Sequence, residues 1–267
     1  MSQPMPDSSP LAGASAELRA ALDAAHAANR VVRAHYGRAP AITIKTDASP
    51  VTVADLATEQ EVRALLLGAF PEHGFFGEET GIHRPSADGP LWIVDPIDGT
   101  RAFIREFPLF STQIALRREG DFVVGVSSAA VYGELAYAER GQGAFLNGRR
   151  VRVSQVDRIE EAQLSLGNSR SLAGSARWAR YGELVRRAAY SRGYGEFLQY
   201  HLLAAGKLDV VIETDIKIYD VAAVAAIVSE AGGRCTDIDG APLALDSTSI
   251  VATNGLLHDA VLDALGG

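Results

Sequence analysis

The sequence predicts a fold in which α-helices and β-sheets pack in layers. Three observations predict it: apolar residues recur at helical spacing near the N-terminus, the middle of the chain alternates as antiparallel strands do, and the last third mixes both patterns. With 267 residues, 47% of them hydrophobic, the chain can bury a large core. We therefore expect one domain over residues 16–267, made of two tightly joined αβ halves.

Two helices are predicted in the first quarter of the chain. Ala, Leu and Val recur at helical spacing from residue 16 to about 36, which is typical of an amphipathic helix. A short alternating segment at 42–46 favours a strand. A second helix is predicted from near Asp55 towards Phe70, where Pro71 and Gly74 end it.

A series of strands is predicted in the middle of the chain. The apolar segment 91–94 lies between Pro90 and the pair Asp95-Pro96, a pattern typical of a buried strand whose end opens into a loop. Strand-like segments follow at 112–117, 122–127 and 134–138, and Asn147-Gly148 favours a type I′ hairpin turn. We expect an antiparallel meander here.

Strands and helices alternate in the last third of the chain. Apolar strand candidates at 164–166, 209–213 and 249–253 alternate with helical segments at 178–189, 196–205 and 221–231. Such alternation is expected where helices cover the faces of a sheet.

Composition excludes several classes of protein. The formal net charge of −8 argues against a nucleic-acid binder, which needs a basic surface to neutralise phosphates. A single cysteine, Cys235, excludes an internal disulfide and a cysteine-rich zinc site. The first 15 residues lack the pattern of a signal peptide, and no segment has the roughly 20 apolar residues of a membrane span. We expect a disordered leader over 1–15 on a cytoplasmic protein without a membrane partner.

The segment around Asp95 and Asp98 is the most informative for function. These two carboxylates are three residues apart at the end of a predicted buried strand, with a proline between them and Gly99 permitting a tight turn. Carboxylates that converge at such a corner are the oxygen ligands that Mg²⁺ prefers. A purely structural turn is the alternative, although a turn alone needs neither Trp92 nor Thr100.

Further acidic residues have both a functional and a structural interpretation. Glu78 and Glu79 are adjacent between glycines in a predicted loop, where a cation or solvent must separate their charges. Asp55 and Asp220 each lie at the start of a predicted helix, where a carboxylate stabilises the helix end without any ligand. Thr52 and Asp55 also have the spacing of a capping box. Both interpretations stay open for each of these residues.

Two segments together resemble the signatures of the inositol monophosphatase family. The first is WIVDPIDGTRAF at 92–103 and the second is YDVAAVAAIVSEAGG at 219–233, with Gly77-Glu78-Glu79 just upstream of the first. The resemblance extends over nearly the whole chain, from about residue 21 to 265. One departure is Tyr219, where the second signature usually has tryptophan.

The resemblance implies a phosphatase with an αβαβα layered fold of the inositol monophosphatase and fructose-1,6-bisphosphatase type. It also implies a requirement for Mg²⁺, with two or three ions per site, as well as sensitivity to lithium and a homodimer. By position, Glu78 and Asp95 would bind the first metal together with the carbonyl of Ile97. Asp95, Asp98 and Asp220 would bind the second.

The resemblance also implies roles in catalysis and in phosphate binding. Asp55 and Thr100 would orient and activate the attacking water, with Glu78 beside them at the metal. The backbone N–H groups of Gly99 and Thr100 would bind the phosphate, and Glu79 would support the metal ligands from behind. The implied reaction is direct in-line hydrolysis with no protein nucleophile.

A second resemblance concerns the substrate, a small phosphate ester. Gly195, Glu196 and Tyr200 are similar to the Gly-Asp-three-residues-Tyr pattern of bacterial histidinol-phosphate phosphatases, and 252–259 is also similar to that subgroup. Glu196 with Glu213 would suit a substrate that carries an ammonium group and an imidazole. The alternative is that Glu196 only starts a helix, where negative charge is favourable.

Three substrates therefore stay open, in a stated order. Histidinol phosphate, an intermediate of histidine biosynthesis, comes first and inositol monophosphate second. A 3′-phosphoadenosine nucleotide is third, because no extra basic cluster is present for a second phosphate.

By position Ile97, Asp98 and Asp220 would also contact the substrate. The remaining alternative is a metal-binding regulatory protein on the same fold, since a fold does not by itself determine activity.

Overall fold

The computed structural model describes residues 13–38, 42–44, 50–84, 86 and 88–266, so most of the predicted leader and residues 45–46 of the first predicted strand lie outside it. The bounds of the five predicted helices are confirmed to within a few residues. The described residues form eight α-helices: α1 (Ala16–His35), α2 (Val53–Ala69), α3 (Thr100–Ile104), α4 (Ser169–Ala173), α5 (Trp178–Arg187), α6 (Glu196–Ala204), α7 (Ile218–Glu230) and α8 (His258–Leu265).

The described strands form a two-stranded hairpin and two larger sheets. The hairpin is β1 (Ile42–Ile44) with β2 (Pro50–Thr52). The large sheet has the order β10-β9-β8-β7-β6-β5-β3-β4 and consists of β3 (Gly74–Gly77), β4 (Gly81–His83), β5 (Leu91–Asp98), β6 (Ser111–Arg118), β7 (Asp121–Ala129), β8 (Glu134–Glu139), β9 (Gly143–Leu146) and β10 (Arg149–Val151). The small sheet has the order β12-β11-β13-β15-β14 and consists of β11 (Gln163–Leu166), β12 (Tyr190–Ser191), β13 (Val210–Thr214), β14 (Arg234–Thr236) and β15 (Ser249–Thr253).

Helices and sheets alternate in five layers. α1 and α2 cover one face of the large sheet, and α7 packs against the other face beside α6. α7 and α6 also contact the small sheet, whose outer face carries α5 and α8. The predicted αβαβα arrangement is therefore confirmed. No described helix combines the length and apolar character that crossing a membrane requires.

α7 is central because it is apolar on almost every side. Nine of its thirteen residues are buried, from Ile218 to Val228. A helix that is hydrophobic all round must be covered on all sides, and the two sheets provide that cover. Its first turn consequently lies between the sheets, at the edge where β5 ends.

Local patterns in the middle of the chain are confirmed. Strands β5 to β10 pair antiparallel in sequence order, as predicted for a meander. Asn147 and Gly148 both have positive φ, 48° and 74°, as a type I′ turn requires. The predicted end of the first central strand was wrong, since β5 continues past Val94 to Asp98.

Candidate active site

Three carboxylates from two elements converge at the end of β5. Oxygen atoms of Asp95, Asp98 and Asp220 all lie within 4.8 Å of one another. Asp95 is buried, whereas the other two are partly exposed. The first two come from β5 and the third from the first turn of α7, so the arrangement depends on how that helix packs on the sheet.

An irregularity in β5 lets Asp95 and Asp98 face the same point. Residues three apart in a regular strand point to opposite faces of the sheet. The register of β5 against β6 shifts between these two residues, which removes that alternation. The distorted segment is held by a 2.8 Å hydrogen bond from the Thr112 hydroxyl to the Pro96 carbonyl and by a 2.9 Å bond from the Ile97 N–H to Asp95.

Gly99 allows the chain to turn directly after the aspartates. Its φ is +90°, and a Cβ there would lie 2.8 Å from the carbonyl oxygen of Leu109. Both the backbone conformation and the space exclude a side chain. The turn delivers Thr100 as the first residue of α3.

Glu78 approaches the cluster from the tight turn between β3 and β4. Its backbone N–H donates to the Val94 carbonyl at 3.1 Å, next to the aspartates. Its side chain is hydrogen-bonded to that of Asp95 and raises the pKa of Asp95. The ring of Phe76, on the strand that leads into the turn, contacts that of Tyr219 edge-on at 5.9 Å between centroids.

Burial and mutual repulsion make these carboxyl groups hard to ionise. Burial raises the pKa of Asp95 and that of Asp98 well above the ordinary value, and the neighbouring carboxylates raise both further. Burial also raises the pKa of Asp220 to about 7, although a 2.7 Å hydrogen bond from the Lys217 N–H acts in the opposite direction. Asp220 is thus both a residue of a helix start and a member of the cluster.

Asp55 likewise has a structural and a site-facing role. Its Oδ2 accepts hydrogen bonds from the N–H of Thr52 at 2.7 Å and from the Thr52 hydroxyl at 2.6 Å, and the Thr52 hydroxyl oxygen accepts from the Ala54 N–H. The predicted capping box is confirmed. The other oxygen, Oδ1, lies 3.2 Å from the Thr100 hydroxyl. Burial raises the pKa of Asp55, while the bonds from Thr52 and Thr100 lower it.

A cavity of about 830 Å³ opens beside the cluster. It extends from Asp98 and Asp220 towards α6 and β13. Acidic, amide and basic side chains share its walls, so it can accommodate a ligand with charges of both signs. The residues that line it include Arg101, Asn168, Arg170, Gly195, Glu196, Tyr200, Glu213 and Asp215.

Glu213 is held rigidly in the cavity wall by neutral donors. Its Oε2 accepts 2.7 Å hydrogen bonds from the Gln199 amide and from the Tyr200 hydroxyl. Gln199 is itself fixed by a 2.8 Å bond from Ser165. A Cβ at position 167 would lie 2.2 Å from Glu213 Oε1, so glycine there makes room for the carboxyl. Burial raises the pKa of Glu213 to about 8.

Glu196 begins α6 in an unusual backbone conformation. Its φ is +48°, a left-handed conformation that is uncommon outside glycine. Its carboxyl is hydrogen-bonded to that of Asp98, and burial raises its pKa.

The structure brings most of the predicted site residues to one place. The backbone N–H of Glu79 donates to Glu59, and the supporting role predicted for the Glu79 side chain stays a prediction. Sequence reasoning missed Glu59, Ser165 and Gln199. The signal for Gln199 was its position three residues after Glu196, on the same face of a predicted helix.

Comparisons with known proteins show the family of this chain. The model of the inositol monophosphatase family matches residues 15–266. The chain belongs to this family. Its members are metal-dependent phosphatases, so the protein is a phosphomonoesterase that acts on small phosphate esters, and the alternative of a regulatory protein is set aside.

Individual relatives include both histidinol-phosphatases and inositol-1-monophosphatases. A histidinol-phosphatase from Mycobacterium tuberculosis is 40% identical over 261 residues, covering 93% of this chain and 97% of the relative. An inositol-1-monophosphatase from Mesorhizobium japonicum is 33% identical over 256 residues, covering 94% and 96%. Among solved structures, extragenic suppressor protein suhB from Bartonella henselae superposes with a TM-score of 0.86 at 32% identity, covering 94% of this chain and 99% of that one.

Proposed function

We propose that this phosphatase uses Mg²⁺ to hydrolyse histidinol phosphate to histidinol and inorganic phosphate. The observation that supports this substrate is the position of Glu196, which turns into the cavity beside Asp98 and faces the wall that contains Glu213. Histidinol phosphate carries an ammonium group on the second carbon from the ester oxygen and an imidazole at its far end, and such a substrate matches a cavity with a cation site at one end and carboxylates along its wall.

The residues present fit a hard divalent cation. Asp95, Asp98 and Asp220 offer oxygen atoms within 4.8 Å of one another, and Glu78 adds a fourth carboxyl next to Asp95. Burial and neighbouring carboxylates raise the pKa of Asp95 and that of Asp98, so positive charge is required to ionise these groups together, and oxygen-only ligands favour Mg²⁺. When bound, Mg²⁺ supplies Lewis-acid polarisation of water and neutralises charge on the ester oxygens.

The chain's own groups would orient the reactants. Asp55 Oδ1 is the proposed acceptor for the proton of the attacking water, because Oδ2 is already occupied by Thr52. The Thr100 hydroxyl, between Asp55 and the Ile97 carbonyl, would hold that water in line. The N–H groups of Gly99 and Thr100, at the start of α3, are the proposed donors to the phosphate.

The carboxylate wall would select the leaving alcohol. A buried carboxylate gains most from a cationic partner, since an unpaired charge there is costly. Glu213, with a pKa of about 8, and Glu196 would both ionise more readily beside an ammonium group. The neutral hydroxyls of a polyol would interact more weakly with these carboxylates, although the cost of desolvating the carboxylates would be the same.

Inositol 1-phosphate is the second candidate. The anchoring of Glu213 by Gln199 and Tyr200 leaves Oε1 for a hydroxyl of the substrate, which favours a polyol. The inositol-1-monophosphatase relatives support it, at lower identity than the histidinol-phosphatase of M. tuberculosis.

Four further properties are proposed, the homodimer and the lithium sensitivity from the family resemblance and the single domain and the location from the sequence. We infer a single catalytic domain over 16–267, a homodimer, and a cytoplasmic location. Lithium sensitivity belongs to the same group, because it depends on the proposed cation site.

The test measures phosphate release from histidinol phosphate and from inositol 1-phosphate side by side, with Mg²⁺ and with excess chelator. We expect kcat/KM for histidinol phosphate to be higher by about tenfold or more, equivalent to about 1.4 kcal/mol of discrimination. A higher kcat/KM for inositol 1-phosphate would show that the proposed substrate is wrong and would favour the inositol ester. Activity that survived chelation would overturn the metal requirement.

A further inference from the structure

Glu59 is a buried carboxylate that meets the active site only through the backbone of a neighbouring turn. It lies on α2, one helical turn after Asp55, and its exposed fraction is 1%. Its Oε2 accepts a 2.8 Å hydrogen bond from the N–H of Glu79, and its Oε1 accepts a 2.9 Å bond from the N–H of Thr80. Both oxygens are therefore used by the turn that begins with Glu78.

The Glu59 carboxylate occupies space that a side chain at Gly77 would otherwise fill. A Cβ at position 77 would lie 2.4 Å from the carboxyl carbon of Glu59 and 2.5 Å from each of its oxygens. Any other residue at position 77 would displace either the carboxylate or the strand β3. The turn and the carboxylate consequently fit together only with glycine before Glu78.

The position of the turn determines where Glu78 points. Glu78 is the residue between β3 and the two N–H groups that Glu59 binds, and its own N–H is bonded to the Val94 carbonyl. Hydrogen bonds on both sides of one residue restrict its backbone, and thereby the direction of its side chain towards Asp95.

We propose that Glu59 is a positioning residue that sets the Glu78 carboxylate against Asp95 and so determines the affinity of the metal site. α2 then serves the site twice, with Asp55 facing Thr100 and Glu59 holding the turn of Glu78. The inference rests on the proposed function, because it takes Glu78 to be a metal ligand. The carboxylate of Glu59 accepts hydrogen bonds from backbone N–H groups, so a search for metal ligands would not find this residue.

The test is a titration of the substrate-free full chain with Mn²⁺, in which electron paramagnetic resonance measures the unbound ion. The variants are Glu59→Gln, Gly77→Ala and Glu78→Gln. Glu61→Gln is the matched control, with the same charge change on another face of the same helix. Thermal unfolding without metal shows whether each variant is folded. Steady-state assays then separate the Mg²⁺ requirement from kcat at saturating metal.

Loss of a partner that orients a metal ligand typically weakens metal binding about 10- to 100-fold. We expect the Mn²⁺ dissociation constant of Glu59→Gln to rise by about that factor while Glu61→Gln binds as the wild type does. The Mg²⁺ concentration for half-maximal activity should rise in parallel, with kcat largely recovered at saturating Mg²⁺. Gly77→Ala should behave alike, because displacement of either the carboxylate or β3 separates Glu59 from the turn.

If Glu59→Gln folds and binds Mn²⁺ with unchanged affinity while Glu78→Gln binds it more weakly, the inference about Glu59 is wrong and the proposed function stands. Unchanged affinity in Glu78→Gln would overturn the ligand assignment of the proposed function and the inference with it. If Glu59→Gln does not fold, Gly77→Ala decides, and normal metal binding by that folded variant would contradict the proposal.

Discussion

The hydroxyl oxygen of Thr100 lies 3.2 Å from Oδ1 of Asp55 and 3.1 Å from the Ile97 carbonyl. A hydroxyl has one proton to donate, so it can satisfy only one of these two acceptors at a time. The other oxygen of Asp55 is fixed by Thr52. Asp55 is therefore positioned by one oxygen while the other is available for a proton from water.

Asp55→Asn should remove the proposed proton acceptor with little change in structure. An amide oxygen can still accept from the Thr52 N–H, whereas it cannot take a proton from water. General-base catalysis contributes about 10²- to 10⁴-fold, and we expect kcat to fall by that factor. The measurement is kcat and KM for phosphate release, with thermal unfolding of the same preparation.

Asp23→Asn is the control for this variant, since Asp23 is exposed on α1. It should leave kcat unchanged. A folded Asp55→Asn enzyme with wild-type kcat would show that Asp55 is only the helix-start residue of the capping box.

Gly99→Ala should cost more stability than Gly133→Ala, although the two glycines have nearly the same φ. Their φ values are +90° and +88°, so each alanine bears a left-handed strain of about 1–2 kcal/mol. Only the Cβ at position 99 meets another atom, the Leu109 oxygen at 2.8 Å, whereas position 133 is open. The check is denaturant unfolding of both variants with Mn²⁺ titration.

The turn after Asp98 must move to relieve that contact, and so Gly99→Ala should also weaken Mn²⁺ binding while Gly133→Ala does not. Equal losses of stability in the two variants, with equal metal affinity, would contradict the tight approach at Leu109.

Local patterns were predictable from the sequence because their causes are local. The spacing of apolar residues in α1 and the Asn147-Gly148 turn both depend on residues a few positions apart. The fold class followed from the same patterns. The two long signatures identified the acidic cluster, which no single acidic residue could have done, since Asp55 and Asp220 also serve as helix-start residues.

Contacts between distant elements were not predictable from spacing alone. Alternation along β5 would place Asp95 and Asp98 on opposite faces, and the shift that brings them together depends on pairing with β6. The contact of Gln199 with Glu213 depends on how α6 packs against β13. The contact of Glu59 with the turn after Glu78 depends on how α2 packs against β3. Each of these pairs is brought together by packing.

Mg²⁺ should stabilise the protein more at pH 8 than at pH 5.5. Without metal, the pKa of Asp220 is raised to about 7, and those of Asp95 and Asp98 are raised as well. The folded state then binds more protons than the unfolded one, so stability of the metal-free protein falls as pH rises from about 4 to 7. Metal must displace these protons at low pH, which weakens its binding there.

Thermal unfolding with and without Mg²⁺ at the two pH values measures this difference. Calorimetric titration in buffers of different ionisation enthalpy should show protons released on binding at pH 5.5. An equal shift of the unfolding midpoint at both pH values, without proton release, would mean that the carboxyls are already ionised in the metal-free protein.

Glu196→Gln should separate the two candidate substrates. The amide keeps the size of the side chain and its hydrogen bonds but loses the charge that would pair with an ammonium group. We expect kcat/KM for histidinol phosphate to fall by about tenfold or more, or about 1.4 kcal/mol, and that for inositol 1-phosphate to change much less. Glu183→Gln, at an exposed site on α5, should change neither.

The same variant also tests the alternative that Glu196 acts through the metal cluster. Its carboxyl is hydrogen-bonded to Asp98, so a loss of metal ligation would lower kcat/KM for both esters by the same factor and raise the Mg²⁺ requirement. A selective loss with an unchanged Mg²⁺ requirement places the effect on the leaving alcohol, because the phosphate and the metal site are common to both substrates.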